Sequence, residues 1–365
     1  MIGAVREFAN RILGRGDATI AVPSFDGALK PNQKLEAAEV LLECQAPEDL
    51  TTDGSAIYLA DGPRLLRLDR ASATELRVFE RTISALASLP GGELAVALEG
   101  REVRIFPEPS AAKPRVVFAT GLNAVNALAP APDGMLIATD GSTTRGVDDW
   151  ARDLMEHGHS GRLLLLDPAT GSSKVLADGL GYAFGCCATT GDRALVSESW
   201  RHRLIDVQRD GSTNIALPHL PVYPSRLSRA SPNGYWLTAF TARSLLVEFV
   251  LREPAFRKRM MAEIEPRYWI APCLRSGGSF KEPMQGAHIK TMGVVKPWAP
   301  PRSYGLVIRL SEDAEPLYSL HSRVDGVNHG VVSAIEVNGD LIMIAKGPGR
   351  ILKLPVAPLD KELGA

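Results

Sequence analysis

Hydrophobic and polar positions along this chain fall into one recurring phrase. A Gly-centred turn leads into an apolar strand, a second turn, and a further strand that closes near a charged residue. The phrase reads DGSAIYLADGPRLLRLD from Asp53 to Asp69 and GGELAVALEGREVRIF from Gly91 to Phe106. It returns as PDGMLIATD from Pro132 to Asp140, completed after an interruption by GRLLLLD from Gly161 to Asp167. Later copies are GDRALVSESWRHRLID (Gly191 to Asp206), NGYWLTAFTARSLLVE (Asn233 to Glu248) and NGDLIMIAKGPGRILKL (Asn338 to Leu354). Each copy has the length of one β-hairpin, and repetition at roughly 40 residues is the signature of a β-propeller. The six copies predict an all-β, six-bladed β-propeller. Runs such as Leu163–Leu166 and Leu341–Ile344 are apolar on both faces, as strands sandwiched between neighbouring blades must be.

Two interruptions break the rhythm. TTRGVDDWARDLMEHGHS, from Thr143 to Ser160, is inserted in the third unit and is expected to overhang the channel mouth. A larger excursion, Arg252 to Arg302, precedes the last blade; within it Glu253 to Glu265 predicts a helix that Pro266 ends. LEAAEVLLE, from Leu35 to Glu43, is either the strand that closes the ring by completing the last blade or a short helix. Ile2, Val5, Phe8, Ile12 and Leu13 share one helical face, which predicts a short N-terminal helix on the propeller rim or a weak membrane-surface anchor. The domain reading is an extension over 1–24, a single propeller over 25–356 and a tail over 357–365.

Composition narrows the partners. A net charge of −1 with interspersed charges gives no basic face for nucleic acid. No apolar run of about 18 residues predicts a membrane span, and Arg6, Asn10 and Arg11 interrupt any secretory signal. Cys44, Cys186, Cys187 and Cys273 lack zinc spacing and read as buried thiols in a reducing cytoplasm. No G-x-S-x-G elbow, phosphate loop or zinc-protease motif is present. The expected partner is therefore a small molecule at the channel mouth; oligomeric state is not legible.

Beyond the repeat, an ordered set of patterns resembles the strictosidine-synthase-like family of six-bladed propellers, whose wider relatives are the gluconolactonase/senescence-marker and paraoxonase families. The patterns are FDGALKPN (Phe25 to Asn32), APEDLTTDGSAIYLADGPRLLRLD (Ala46 to Asp69), GRLLLLDP (Gly161 to Pro168) with VLADGL (Val175 to Leu180), LPVYPSRL (Leu220 to Leu227) with GYWL (Gly234 to Leu237), and YGLVIRL from Tyr304 through LIMIA ending at Ala345. FRKRM, from Phe256 to Met260, resembles animal membrane-associated members.

The resemblance implies a divalent cation, Ca²⁺ or Zn²⁺, held at the inner-strand starts of metal-binding members. Such an ion can polarise an ester carbonyl or acidify a bound water. Glu48 and Asn126 match the first- and third-blade ligands. Phe184 stands where a further Asn is expected, and Ser225, beside Arg226, where an acid or amide is expected; the metal set Glu48, Asn126 and Ser225 is thus incomplete. The condensing branch needs no metal and uses a Glu that here falls at about Ser333; Glu336, three residues on, faces the other way along a strand. True strictosidine synthase activity is not expected.

His329, in VNHG just before the last inner strand, is a candidate general acid or base. Glu48 and Arg226 join it as candidate catalytic residues, with Tyr182, Phe184, Trp150 and Asn328 as candidate lining. His157 and His159 offer only two of the ligands a metal needs. The expected activity is ester or lactone hydrolysis. The alternatives are metal-free acid–base chemistry at C–N or C–C bonds, or a non-catalytic binding propeller.

Overall fold

A computed structural model describes residues 22–363 apart from 70–71, 190, 277–278, 280, 283–289, 292–293, 296–302 and 324. The predicted N-terminal amphipathic helix (Ile2, Val5, Phe8, Ile12, Leu13) and part of the excursion lie outside the described residues. Six four-stranded antiparallel sheets form the blades. Their inner strands are Pro47–Thr52, Ile83–Ser88, Val125–Pro130, Ala183–Ala188, Val222–Arg229 and Val331–Val337. Each inner strand adjoins the next, and the sixth returns to the first, so the six-bladed ring is closed.

The recurring phrase forms the second and third strands of its blade. Ile57–Asp61 pairs with Arg64–Asp69, and Leu136–Asp140 pairs with Gly161–Leu166 across the insertion. In three copies the acid that ends the phrase's first strand forms a repeated lock. Asp61 Oδ1 accepts from Ala46 N (2.6 Å), Asp140 Oδ1 from Ala124 N (2.7 Å) and Glu198 Oε1 from Gly181 N (2.8 Å). Each acid also pairs with an Arg at the start of the following strand: Arg64, Arg162 and Arg203. An acid that would be costly to bury alone thereby ties the entry of each of these inner strands to its own hairpin.

Glu39–Glu43 is the closing strand, pairing with Arg350–Pro355 of the sixth blade. One copy of the phrase departs from expectation. In NGYWLTAFTARSLLVE only Tyr235–Ala242 is a strand, and Leu245–Leu251 is a helix. Ser244 Oγ accepts from Val247 N and caps it, which diverts the chain out of the sheet. The excursion therefore lies inside the fifth blade, ahead of the last one, and Gly305–Leu310 supplies the missing third strand. Its predicted helix spans Pro254–Glu263.

Candidate active site

Every inner strand carries a bulge near its mouth end. Between Pro47 and Asp49 the first strand advances two residues while its partner advances one, from Asp61 to Ala60. The same single extra residue occurs at Ser84, at Asn126, within 184–185, within 225–226, and at Val332. A bulge takes its extra residue out of the ladder and re-aims it. Glu48, Ser84, Asn126, Phe184 and Val332 accordingly line a cavity of about 290 Å³ at the channel mouth. Gly185 is required at the fourth bulge, where a Cβ would collide with the Ser225 carbonyl.

The fifth bulge aims Arg226 into the channel axis. Its Nε donates to the Asn126 carbonyl (2.9 Å) and lies 3.3 Å from Asp49 Oδ1. Nη1 donates to the carbonyls of Glu48 (2.9 Å) and Val332 (3.4 Å). Nη2 donates to the Ser84 carbonyl (2.7 Å) and to Glu48 Oε1 (3.2 Å). The guanidinium carbon sits 5.3 Å from the Phe184 ring centroid. One buried side chain thus touches the inner strands of all five other blades, and its five N–H groups are all engaged. No donor is left for a substrate, which makes Arg226 structural where a catalytic role was expected.

Above this floor, Glu48 Oε2 pairs with Lys346 Nζ, which is half-buried and faces the cavity. Burial opposes ionisation of Glu48, but Lys346 and Arg226 outweigh it and hold the carboxyl below its usual value. The walls are aromatic: Trp150, Tyr182, Phe184, Trp200 and Phe240. Tyr182, in left-handed backbone (φ 58°), stacks on Trp200 at 4.5 Å. Trp150 opens the insertion helix Trp150–Glu156 and packs edge-on against Phe240 at 5.5 Å. The same helix carries buried Asp153, whose Oδ1 accepts from Trp200 Nε1 at 2.7 Å. The insertion thus roofs the mouth and fixes a wall.

Below Arg226 the channel opens to the opposite face as a second space of about 660 Å³. Asp49 borders it, accepting from Leu50 N, Leu86 N and Ser333 Oγ. Burial raises the Asp49 carboxyl despite the nearby guanidinium. Ser333 therefore faces Asp49 beneath the floor, and Glu336 turns away from the axis to accept from Trp236 Nε1 at 2.8 Å.

Several predicted site residues lie elsewhere. Ser225 Oγ bonds Thr238 Oγ1 (2.8 Å) and the Val331 carbonyl (3.3 Å), because the bulge turns it sideways between blades. His329 is buried outside the cavity: Nε2 donates to the Arg323 carbonyl (2.8 Å), so Nδ1 accepts from Ser303 Oγ (2.7 Å). Burial lowers its pKa. Asn328 is held by the leader, donating from Nδ2 to the Leu35 carbonyl and from its backbone N to Glu36 Oε1 (both 2.8 Å). Glu48, Asn126, Tyr182, Phe184 and Trp150 do meet at the mouth; Lys346 and Trp200 complete the group. His157 bonds the Leu251 carbonyl and His159 the carbonyl of His157, so this pair braces a loop. Cys186 and Cys187 are buried, and burial pushes the Cys187 thiol up to about 12.

These residues do not fit a divalent cation. Both oxygens of Glu48 are taken by cationic side chains, and Asn126 Nδ2 donates to the Ala183 carbonyl. Ser225 is turned away, and the guanidinium occupies the point where the inner strands converge. Among the described residues no group of three or more His, Cys, Asp or Glu side chains is placed to hold an ion. Among them, too, no helix is long and apolar enough to cross a membrane.

Comparison with known proteins agrees with this architecture. The family model described as strictosidine synthase matches residues 126–206, which span the third inner strand to the fourth blade. The adipocyte plasma membrane-associated protein of Rattus norvegicus is 28% identical over 302 residues, covering 71% of this chain and 80% of its own. Its Homo sapiens counterpart is 27% identical, covering 71% and 72%. Among solved structures, a gluconolactonase from Xanthomonas campestris superposes with a TM-score of 0.55 at 13% identity, covering 88% of this chain and 91% of its own. A calcium-binding regucalcin from Agrobacterium tumefaciens gives 0.54 at 11%, covering 87% and 92%. At such identities the structural likeness speaks to fold alone. Taken with the ring of bulged inner strands, these matches show a six-bladed β-propeller that resembles the strictosidine-synthase-like family.

Proposed function

We propose that this protein is a small-molecule hydrolase that cleaves an ester or lactone at the channel mouth without a resident metal. One observation carries the reading: a Glu48–Lys346 pair stands on the floor of an aromatic-walled cavity of about 290 Å³. Lys346 spends one N–H on Glu48 and has two more to offer a substrate carbonyl oxygen as negative charge develops there. Glu48, ionised at neutral pH, takes a proton from the attacking water and returns it to the leaving alkoxide, so that ester and water become acid and alcohol. The ring walls suit a flat or branched apolar group. Condensing chemistry of the wider family is less well served, because the position of its carboxylate is Ser333, beneath the floor.

A panel of aryl esters and lactones, assayed in EDTA and with added Ca²⁺ or Zn²⁺, tests this. Turnover should persist in EDTA, and Glu48→Gln or Lys346→Met should lower kcat/KM about 10²–10⁴-fold, the span of general acid–base and electrostatic catalysis. Absence of hydrolysis across the panel, or turnover that requires added metal, would refute it.

A further inference from the structure

The bulges have a second result. Each leaves the carbonyl of its extra residue without a ladder partner, and four of these carbonyls point at the channel axis: Glu48, Ser84, Asn126 and Val332. Glu48 Oε1 and Asp49 Oδ1 join them, so six oxygens from four blades surround the guanidinium at 2.7–3.4 Å from its nitrogens. An all-oxygen set of carbonyls and carboxylates is what a hard divalent cation such as Ca²⁺ takes, with six to eight ligands. We infer that Arg226 is an internal cation standing in for a bound ion, and that removing its guanidinium uncovers a divalent-cation site built from these six oxygens.

The charge argument runs in the same direction. Two carboxylates and a ring of carbonyl dipoles converge where water has little access, and such a focus of negative potential requires a positive occupant. A side chain fixed in the chain meets that need at every ion concentration. Phe184 supports the assignment: its ring closes the fourth side against the guanidinium, where an oxygen donor would serve an ion and an aromatic face serves an organic cation. Lys346 cannot take over, because its Nζ is held above the floor by Glu48 Oε2.

This inference is independent of the hydrolase reading, since its readouts are melting temperature and ion content. Full-length wild type and Arg226→Ala would be stripped with EDTA, then melted with no ion, with millimolar Ca²⁺ and with Mg²⁺. Wild type should contain no stoichiometric ion and melt at one temperature throughout. Arg226→Ala should melt several degrees lower in EDTA, recover with Ca²⁺, and bind about one Ca²⁺ per chain by calorimetry, with Mg²⁺ less effective. Arg226→Lys, which restores a positive charge, should stay indifferent to Ca²⁺. Should Arg226→Ala fail to fold in EDTA, refolding it in Ca²⁺ must rescue it. A stoichiometric ion in wild type, or an alanine variant that Ca²⁺ neither stabilises nor rescues, would overturn the inference.

Discussion

Asp153 offers a quantitative test of how the insertion shapes the cavity. Its carboxylate is buried and holds Trp200 Nε1 at 2.7 Å, and Trp200 in turn stacks on Tyr182. Replacing Asp153 by Ala removes that acceptor, whereas Asn keeps a carbonyl oxygen in the same place. A buried N–H left without its acceptor, as Trp200 Nε1 would be in the alanine variant but not in the asparagine one, costs about 1–3 kcal/mol. Unfolding entropy of about 2.1 cal/mol/K per residue, over 365 residues, makes about 0.8 kcal/mol per degree. The alanine variant should therefore melt about 1–4 °C below the asparagine variant. The pH dependence supplies a second sign. Burial raises the Asp153 carboxyl above its usual value, although the bonds from Ser142 and Trp200 oppose it. As pH rises through about 4 the unfolded chain loses this proton first, so the native state is the one that binds more protons and its stability falls with pH. Asparagine carries no such proton, and its melting temperature relative to wild type should climb from about pH 4 upward. Thermal melts from pH 3.5 to 8, with tryptophan fluorescence as a probe of the stack, measure both effects. Coincident alanine and asparagine variants, or an asparagine advantage that shrinks as pH rises, would refute the reasoning.

Other expectations are shorter to state. His321 is buried between Tyr304 Oη and Ser319 Oγ, and burial, helped by Arg323, pushes its pKa down to about 3. The unfolded chain takes up this proton near pH 6.5 while the native state refuses it, so stability drains away as pH falls from about 6.5 toward 3. His321→Gln should flatten that loss in urea titrations across this range; an unchanged pH profile would remove the assignment. His329→Ala should lower the melting point by removing one hydrogen bond each from the Arg323 carbonyl and Ser303 Oγ, which keep Gly326 N and Ser276 Oγ as partners. Two bonds at about 0.5–1.5 kcal/mol each make a cost of about 1–3 kcal/mol, while KM and kcat on any ester substrate should stay within about twofold. A collapse of kcat in a folded His329→Ala would return this histidine to the site.

The hairpins were legible because turn glycines and two-faced apolar strands are properties of residue type. The fifth copy misleads because SLLVE serves as strand or helix by pattern, and the Ser244 cap decides between them. Facing at the channel was harder to read. A single extra residue in the fifth inner strand exchanges Ser225 for Arg226 on the axis, and alternation counted from the sequence cannot locate that residue. Four of the six oxygens around Arg226 are backbone carbonyls, which no side-chain motif records. Asn328 was misplaced because the Leu35–Glu36 leader captures it, a contact between distant parts of the chain. Lys346 did leave a trace. Three other copies end the second strand of the blade on Asp61, Asp140 or Glu198, whereas the last ends on Ala345 followed by Lys346, a reversal of charge at the mouth.

The strand that closes the ring has a kinetic side. Glu43 pairs with Arg350, so the sixth blade is assembled from opposite ends of the described chain. Joining ends that far apart costs about 5 kcal/mol in chain entropy by (3/2)RT ln n, a cost that falls once intervening blades have folded and brought the ends together. During synthesis, blades one to five can form as each hairpin emerges, while Glu39–Glu43 waits unpaired for its partner. Until Arg350–Pro355 arrives, that waiting strand is an open edge able to accept the same segment from a neighbouring molecule. Fidelity of folding in this protein thus rests on the last hairpin reaching its own first strand before another chain does.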